Sequence, residues 1–386
     1  VVEGIVRSGG KFSGPEYEAG VARARAPMEK YLSPQERMAT SLVGSLATGG
    51  LPMKALVAAP AAAAPLRPAP PLAPLDQSAV LSQVTPGLVD INTTLDYQGA
   101  VGAGTGIVLD SSGEVLTNNH VIEGATEITA TSLADGRTYP VDVIGYDRTN
   151  DIALVRLRGA GGLPVASLGT ASAVSVGDPI AAIGNAGGGG GAPSFSPGTV
   201  TELGAFVRAS DESGGGAREL TDLIRVAADV RPGDSGGPLV NSAGQVVGVT
   251  VAATLTYRMG GVTGGEGFAI PIDRALAVAN QIRSGAASGT VHIGATAFIG
   301  VGIADSDVAS GGAVVRQVLP DTPARRAGLV SGDVITAVDG VPINSASNLS
   351  DIMDQHHPGD TITLSWIDRG GVPRSAPVVL AAGPIG

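Results

Sequence analysis

Between residues 77 and 271 the chain alternates short, apolar, β-branched runs with clusters of Gly, Asn, Asp and Ser. Repeated short runs with turn residues between them predict an all-β barrel or sandwich rather than βαβ units. The runs that best match strands are 88–95, 106–109, 141–144, 152–157, 180–183, 246–251 and 267–270. After them, apolar residues recur at three- and four-residue steps from Ile272 to Ile282, which predicts a helix that closes this unit.

A second, smaller unit is predicted near the end of the chain. Residues 284–289 have the Gly, Ala and Ser composition of a flexible linker. Beyond it, strands are predicted near 298–303, 313–318, 333–338 and 361–366, and short helices near 323–327 and 345–355. The expected division is therefore an N-terminal extension (1–75), a first domain (76–287), a linker (288–296) and a second domain (297–386).

The first 75 residues differ from the rest. Ser33-Pro-Gln-Glu has the hydroxyl cap, the early proline and the glutamate of a helix start. Residues 58–74 are rich in Ala and Pro and predict an extended spacer. The apolar stretch 42–64 fits an export or membrane-anchor segment, but Gly, Pro and Lys interrupt it, so a disordered leader is the alternative. Any membrane anchoring is expected only here.

Composition narrows the function classes. The chain has 386 residues, and 24 Lys and Arg against 35 Asp and Glu give a formal net charge of −11. This balance opposes binding to nucleic acid or to an anionic membrane. With no cysteine, disulfides, thiolate metal ligands and thiol nucleophiles are excluded. Clustered metal ligands and a phosphate loop with lysine are not found in the sequence either, so no metal or other cofactor is expected.

The hexapeptide Gly233-Asp-Ser-Gly-Gly-Pro is the sharpest candidate for chemistry. A serine hydroxyl becomes a nucleophile only beside a base, and the oxyanion that forms needs fixed donors. Glycines on both sides of Ser235 allow a tight turn, in which the amides of Gly233 and Ser235 can point at one spot. The alternative is a plain glycine-rich loop in a chain that contains 58 glycines.

The base must be one of four histidines. His120 stands at the end of an apolar strand and the start of a loop, which suits a catalytic base. His356 and His357 are interpreted as part of a solvated turn, and His292 simply follows the linker. An orienting carboxylate is also needed. Asp151 opens the apolar run 152–157.

Asp142 and Asp147 compete with Asp151 for this role, because spacing alone does not separate the three carboxylates. A strand-initiating aspartate is also often only a turn residue.

The order His120, Asp151, Ser235 and the sequence around each resemble the HtrA (Deg) type of trypsin-like serine protease, most closely the secreted HtrA-like proteases of mycobacteria and related actinobacteria. The resemblance covers about residues 77–284. The matching phrases are Gly104-Thr-Gly-Ile, Leu116-Thr-Asn-Asn-His-Val, Gly145-Tyr-Asp-Arg-Thr-Asn-Asp-Ile-Ala-Leu, Ala182-Ile-Gly-Asn, Arg231-Pro-Gly-Asp-Ser-Gly-Gly-Pro-Leu and Gly267-Phe-Ala-Ile-Pro.

The resemblance implies a mainly β protein with two perpendicular six-stranded barrels and the active site between them. It implies that Ser235 attacks the scissile carbonyl, that His120 takes and returns the proton, and that Asp151 holds the imidazole tautomer. The amides of Gly233 and Ser235 would form the oxyanion hole.

Two positions depart from the family pattern. Asp234 stands where many HtrA relatives carry Asn, and the sequence does not name a partner for this acid. Asp229 lies where trypsin has the carboxylate that selects Arg or Lys, whereas HtrA relatives are usually apolar there. The alternative is that Asp229 is solvated or paired with Arg225 or Arg231. Aliphatic specificity is expected, with a pocket formed around Asp229, Val249, Thr250 and Val251.

The C-terminal unit resembles a PDZ domain through Phe298-Ile-Gly-Val and the segment 320–339. The resemblance implies that a peptide C-terminus extends the sheet at 301–303 while the loop of Phe298, Ile299, Gly300 and Val301 holds its carboxylate. The helix around 349–353 would line the groove. A purely structural appendage is the alternative.

Together these expectations describe a secreted or extracytoplasmic serine endopeptidase that cleaves unfolded or misfolded proteins. The resemblance adds assembly as a homo-oligomer, a trimer. The alternative is a peptide-binding or chaperone-like protein whose protease domain is inactive or latent, since loops near such sites can hold an inactive arrangement.

Overall fold

The computed structural model describes residues 75–97, 99–210, 217–251, 265–305 and 311–385. The helix start expected at Ser33, the Ala/Pro-rich spacer and the candidate export segment all lie outside these residues. None of the helices in the described part of the chain is long and apolar enough to cross a membrane.

A first barrel is built from six strands. They are β1 (Leu88–Leu95), β2 (Ala100–Val108), β3 (Glu114–Thr117), β4 (Glu127–Ser132), β5 (Thr138–Asp147) and β6 (Ile152–Leu157). Their order is β5-β4-β1-β2-β3-β6, and pairing of β5 with β6 closes the barrel. Alternate residues of each strand point inward, and the interior packs Ile91, Val115 and Val155 among other apolar side chains.

A second closed barrel follows. Its strands are β7 (Pro179–Gly184), β8 (Ser194–Ser210), β9 (Ala217–Ala227), β10 (Pro238–Val240), β11 (Val246–Val251) and β12 (Glu266–Pro271), in the order β10-β11-β12-β9-β8-β7. One apolar cluster joins the two barrels, because it contains Leu88 and Leu154 from the first and Ile183 and Ile270 from the second. The prediction of two six-stranded barrels is confirmed.

In the described part of the chain, three α-helices accompany the barrels: α1 (Gln77–Val84), α2 (Asn119–Ile122) and α3 (Ile272–Arg283). Helix α3 begins at the predicted residue, and its buried face includes Ile272, Ala279 and Ile282. Helix α1, capped by Asp76, was not predicted, because its apolar stripe is too short to stand out.

The C-terminal unit is a small α+β domain. Its elements are β14 (Ala297–Phe298), β15 (Val301–Asp305), β16 (Ala313–Val318), α4 (Pro323–Ala327), β17 (Val334–Val338), β18 (Val341–Pro342), α5 (Ala346–Met353), β19 (Thr361–Ile367), β20 (Pro373–Val379) and β21 (Ala381–Ala382). The main sheet runs β15-β16-β17-β19-β20, with β18 on β17, while β14 pairs with β21. Apolar side chains from the sheet and from α5 fill its core.

The segment expected to be a linker contains a strand. This strand, β13 (Val291–Ile293), pairs with β5 of the first barrel, with His292 opposite Tyr146. The sequence pattern did not predict this short strand, because small polar residues lie on both sides of it. The chain therefore remains attached to the first barrel almost to the start of the C-terminal domain.

His292 has a structural position at this junction. It is 2% exposed, its Nδ1 lies 2.7 Å from the carbonyl oxygen of Asp354, and its ring stacks between those of Tyr146 and His357. His357 Nε2 lies 3.0 Å from the carbonyl oxygen of Ile293. His357 is exposed, as the interpretation of a solvated turn requires, and its ring also stacks on that of His292.

Candidate active site

His120 lies on the short helix α2, which directly follows strand β3 of the first barrel. Strand β3 ends at Thr117, and α2 starts two residues later. Asn118 is fully buried and donates its side-chain amide to the carbonyl oxygen of Asp151 at 2.9 Å. This contact ties the start of α2 to the start of β6. The His120 side chain keeps 39% exposure, so part of the ring faces solvent.

Asp151 is aimed at His120 from the start of β6. Its φ is +52°, in the left-handed region that aspartate tolerates better than most residues. Oδ1 accepts the backbone amide of His120 at 2.9 Å, and Oδ2 lies 2.7 Å from His120 Nδ1. A carboxylate accepts only, so this contact places the proton on Nδ1 and leaves the lone pair on Nε2. That tautomer can act as a base.

The two competing carboxylates lie elsewhere. Asp142 is exposed and pairs with Arg158. Asp147 is 1% exposed, and its oxygens accept the backbone and side-chain amides of Asn150 at 2.9 and 2.6 Å. Of the three aspartates, the structure brings only Asp151 to the His120 ring.

The Ser235 loop turns sharply at two glycines. Gly233 has φ +98° and Gly236 has φ +80°. A Cβ at Gly233 would lie 2.0 Å from the carbonyl oxygen of Asn185, and one at Gly236 would lie 2.2 Å from Thr117 Oγ1 and 3.2 Å from the Asn118 nitrogen. Only glycine fits these positions. The second contact also sets Ser235 beside the segment that leads into His120.

Thr105 of strand β2 ties the serine loop to the first barrel. Its amide donates to the carbonyl oxygen of Ser235 at 2.8 Å, and its hydroxyl donates to that of Gly233 at 2.8 Å. Its own carbonyl oxygen accepts the Thr117 hydroxyl at 2.8 Å. Thr105 is fully buried. In the sequence, Thr105 appeared only within the matching segment Gly104-Thr-Gly-Ile, and its hydrogen bonds to the serine loop were not predicted.

The peptide between Pro232 and Gly233 has a fixed orientation. The carbonyl oxygen of Pro232 accepts the amide of Gly187 at 2.7 Å. Because the carbonyl and the amide of one trans peptide point in opposite directions, the Gly233 N–H is turned away from Gly187. An oxyanion-hole donor needs such a fixed direction.

Asp234 finds its partners within the chain. Its side chain is fully buried, Oδ1 accepts the Ser194 hydroxyl at 2.6 Å, and Oδ2 accepts the Arg231 amide at 3.0 Å. Burial raises the pKa of the Asp234 carboxyl, and these hydrogen bonds oppose that shift. No sequence signal linked Ser194 to Asp234, because the residues are 40 positions apart on separate segments.

The expected specificity residues lie around the serine loop. Asp229 is 57% exposed and forms an ion pair with Arg231, whose Nε lies 2.9 Å from Oδ2. This is one of the alternatives left open by the sequence. Val249, Thr250 and Val251 are buried on β11, and the Thr250 carbonyl oxygen accepts the Gly236 amide at 2.9 Å.

The candidate peptide-binding loop of the C-terminal domain joins β14 to β15. The carbonyl oxygens of Ile299 and Gly300 accept the amides of Ala324 and Leu319 at 2.8 and 3.0 Å. Gly300 has φ +85°. Strand β15, which carries Val301, is the terminal strand of its sheet. The side chain of Phe298, the first residue expected in this loop, is instead stacked on the Tyr97 ring, with centroids 5.7 Å apart.

Two closed barrels followed by a small α+β domain define the class, a trypsin-like peptidase with a PDZ domain. A family model of the trypsin-like peptidase domain matches residues 104–249, and a model of the PDZ domain matches residues 297–380.

Named relatives agree with this class. Serine protease PepD of Mycobacterium tuberculosis is 38% identical over 359 residues, which span 89% of this chain and 73% of PepD. Putative serine protease HhoA of Synechocystis is 36% identical, over 76% of this chain and 77% of HhoA. A probable periplasmic serine endoprotease, DegP-like, of Hahella chejuensis is 36% identical, over 71% of this chain and 56% of that protein. The chain therefore belongs to the HtrA/Deg family of trypsin-like serine proteases.

Proposed function

We propose that this serine protease works through a triad of Ser235, His120 and Asp151. The Ser235 Oγ attacks the carbonyl carbon of a peptide bond while His120 Nε2 takes the hydroxyl proton. The resulting oxyanion is stabilised by the amides of Gly233 and Ser235, worth roughly 3–4 kcal/mol per donor. The C–N bond then breaks as His120 returns the proton to the leaving amine, and water hydrolyses the acyl-enzyme by the reverse roles.

One observation carries this proposal. The Asp151 carboxylate accepts a hydrogen bond from the His120 backbone amide at 2.9 Å and lies 2.7 Å from the ring Nδ1. Because Nδ1 faces the acid, the basic nitrogen, Nε2, lies on the opposite side of the ring. A structural histidine does not need two contacts from one carboxylate. The test is acylation of Ser235 by a fluorophosphonate probe, since a latent, chaperone-like protein would not react.

The substrates we propose are unfolded or misfolded polypeptides, because an extended chain can enter a cleft between two barrels and a folded one cannot. An extracytoplasmic location is proposed from the periplasmic name of the DegP-like relative. Assembly as a homo-oligomer, a trimer, stays a prediction from the family resemblance.

We further propose cleavage after small aliphatic residues. The Asp229 carboxylate is exposed and engaged by Arg231, so it offers no unpaired anion to a basic side chain. For matched peptides that differ only in Val or Arg before the scissile bond, kcat/KM is expected to favour Val by at least about ten-fold, because a buried unpaired guanidinium is costly. An Asp229→Asn variant should keep this preference. A strong preference for Arg that disappears in Asp229→Asn would contradict the proposal.

For the PDZ domain we propose capture of peptide C-termini. Among the described residues β15 is the terminal strand of its sheet, so its outer edge suits strand addition. The carbonyl oxygens of the loop before it accept hydrogen bonds on one side, so the amides that follow them point to the other side. In a calorimetric titration, a peptide with a free C-terminal carboxylate should bind at least about ten-fold more tightly than its amidated form, the value of a hydrogen bond to a charged group. Equal affinity for both forms would leave the domain a structural appendage.

A further inference from the structure

One cleft of about 590 Å³ joins the serine loop to the outer surface of the first barrel. It is lined by Pro232 and Gly233 of the serine loop, by Gly187 and Gly188, and by residues of β1, β2 and β4. The Gly233 amide is the proposed oxyanion donor. A ligand that fills this cleft therefore lies next to the scissile bond.

The surroundings of the serine loop indicate which part of a substrate the cleft receives. On one side the Gly236 amide donates to the Thr250 carbonyl oxygen of β11 at 2.9 Å, and on the other side the Thr105 amide of β2 donates to the Ser235 carbonyl oxygen at 2.8 Å. The pocket proposed for the residue before the scissile bond lies on the β11 side. An extended substrate then continues toward β2, so the cleft receives the residues that follow the bond.

A row of three side chains crosses the first barrel in this cleft. The strand register sets Val101 of β2 opposite Thr94 of β1, and it sets Thr94 opposite Glu127 of β4. All three residues line the cleft. Because adjacent strands are about 4.8 Å apart, Val101 and Glu127 lie roughly 10 Å from each other on one face of the sheet.

The two ends of this row offer different contacts to a ligand. Val101 is 84% exposed, more than any other large apolar side chain among the described residues. Glu127 is also exposed, and within the described part of the chain it forms no ion pair and no side-chain hydrogen bond. Of the described residues that line the cleft, Glu127 alone carries a charge. The row therefore combines an apolar surface with an unneutralised carboxylate.

This combination suits the side chains of lysine and arginine. Each has an apolar stem that packs along apolar surface and a cationic end that remains in a polar environment. A stem that covers Val101 directs the cation across Thr94 toward Glu127. An acidic side chain in the same place would meet a like charge, and a short aliphatic side chain would reach Val101 only.

The strand geometry also gives the position of this side chain in the substrate. Val101 precedes Thr105, the residue bonded to the serine loop, by four residues along β2, which is about 14 Å. An extended substrate advances about 3.4 Å per residue. Roughly the third or fourth residue after the scissile bond therefore lies over the row.

We propose that Glu127 is a specificity-determining residue that selects Lys or Arg at the third or fourth position after the scissile bond, with Val101 packing against the stem. This inference rests on the proposed function, since it assumes that Ser235 attacks a peptide bond beside Gly233. It adds a substrate class, namely polypeptides with a basic residue on the leaving side of the cut.

The test is kcat/KM for three peptides that are identical up to the scissile bond and carry Lys, Gln or Glu at the third and fourth positions after it. Product masses identify the cleaved bond. The wild type should cleave the Lys peptide about five-fold better than the Gln peptide, the upper value of an exposed ion pair, and the Glu peptide should be the slowest. Raising the salt to about 1 M should bring the ratio toward one, because the screening length falls to about 3 Å.

Ratios measured within one variant separate recognition from folding, since a general loss of activity affects all three peptides alike. Glu127→Gln should lower the Lys-to-Gln ratio to near one, because the attraction is removed. Glu127→Lys should reverse the order and make the Glu peptide the fastest of the three. Both variants change an exposed side chain, so the fold has no buried contact to lose.

Asp135→Asn is the matched control, because Asp135 is an exposed carboxylate in the turn after β4, at the opposite end of that strand from Glu127. It should keep the wild-type ratios. Equal kcat/KM for the three peptides in the wild type, or a Lys preference that survives in Glu127→Gln, would overturn the role of Glu127 and leave the triad in place. A wild type that neither cleaves a peptide nor reacts with a fluorophosphonate would overturn the proposed function, and this inference with it.

Discussion

Replacing Ser235 by alanine is expected to lower kcat for peptide hydrolysis by roughly 10⁵- to 10⁶-fold, the loss seen when the nucleophile of such a triad is removed. The physical reason is that the turn at Gly236 and the hydrogen bond from the Thr105 amide set Ser235 beside the segment that carries His120. The residual rate should come from the oxyanion hole and from substrate binding. Fluorophosphonate labelling should disappear in the same variant.

The matched control is Ser242→Ala, because Ser242 is exposed in the turn between β10 and β11. Its kcat and its labelling should equal those of the wild type. Substitution of Ser235 should leave the melting temperature nearly unchanged, which separates lost chemistry from lost folding. If folded Ser235→Ala protein cleaved peptides at the wild-type rate, the assignment of Ser235 as the nucleophile would be contradicted.

The second large effect is expected from Asp151→Asn, with kcat lowered by about 10⁴-fold, as for the equivalent change in a triad protease. The carboxylate now accepts from the His120 backbone amide and from ring Nδ1. An asparagine whose oxygen keeps the hydrogen bond from the backbone amide presents its NH2 group to the ring, and a donor there forces the imidazole proton onto Nε2. The ring nitrogen that should accept the Ser235 proton would then carry one already.

Asp142→Asn is the control for this prediction, since Asp142 was a competitor by sequence and is exposed in an ion pair with Arg158. It should keep wild-type kcat, because an exposed ion pair contributes about 0–1 kcal/mol at most. Comparable losses in the two variants would contradict the assignment of Asp151. A kcat profile in which the activity of Asp151→Asn recovers at high pH would support it, because hydroxide then removes the misplaced proton.

The buried Asp234 carboxyl group, for which the sequence named no partner, is satisfied by nearby groups of the same chain. The Ser194 hydroxyl and the Arg231 amide occupy its two oxygens. Both partners belong to the second barrel and its loops. The conformation of the Ser235 loop is therefore stabilised by groups that are present in the intact chain.

Local pattern was enough to predict much of the fold. The strands at 88–95, 152–157 and 246–251 and helix α3 were predictable because periodicity and side-chain shape act on neighbouring residues. The glycines around Ser235 were equally visible, since a tight turn needs them wherever it lies. The short strand at Val291–Ile293 escaped, because its stability comes from pairing with β5 and not from its own composition.

The amino-acid sequence by itself determined two β-rich units, their order, and a serine loop of the kind that requires glycine on both sides. Only the tertiary structure decided which aspartate meets His120, which hydroxyl satisfies Asp234, and that Thr105 reaches the loop around Gly233. These contacts join residues from different strands and barrels, so they depend on strand register and barrel closure. Register is set by the packing of the whole core, which no short stretch of sequence contains.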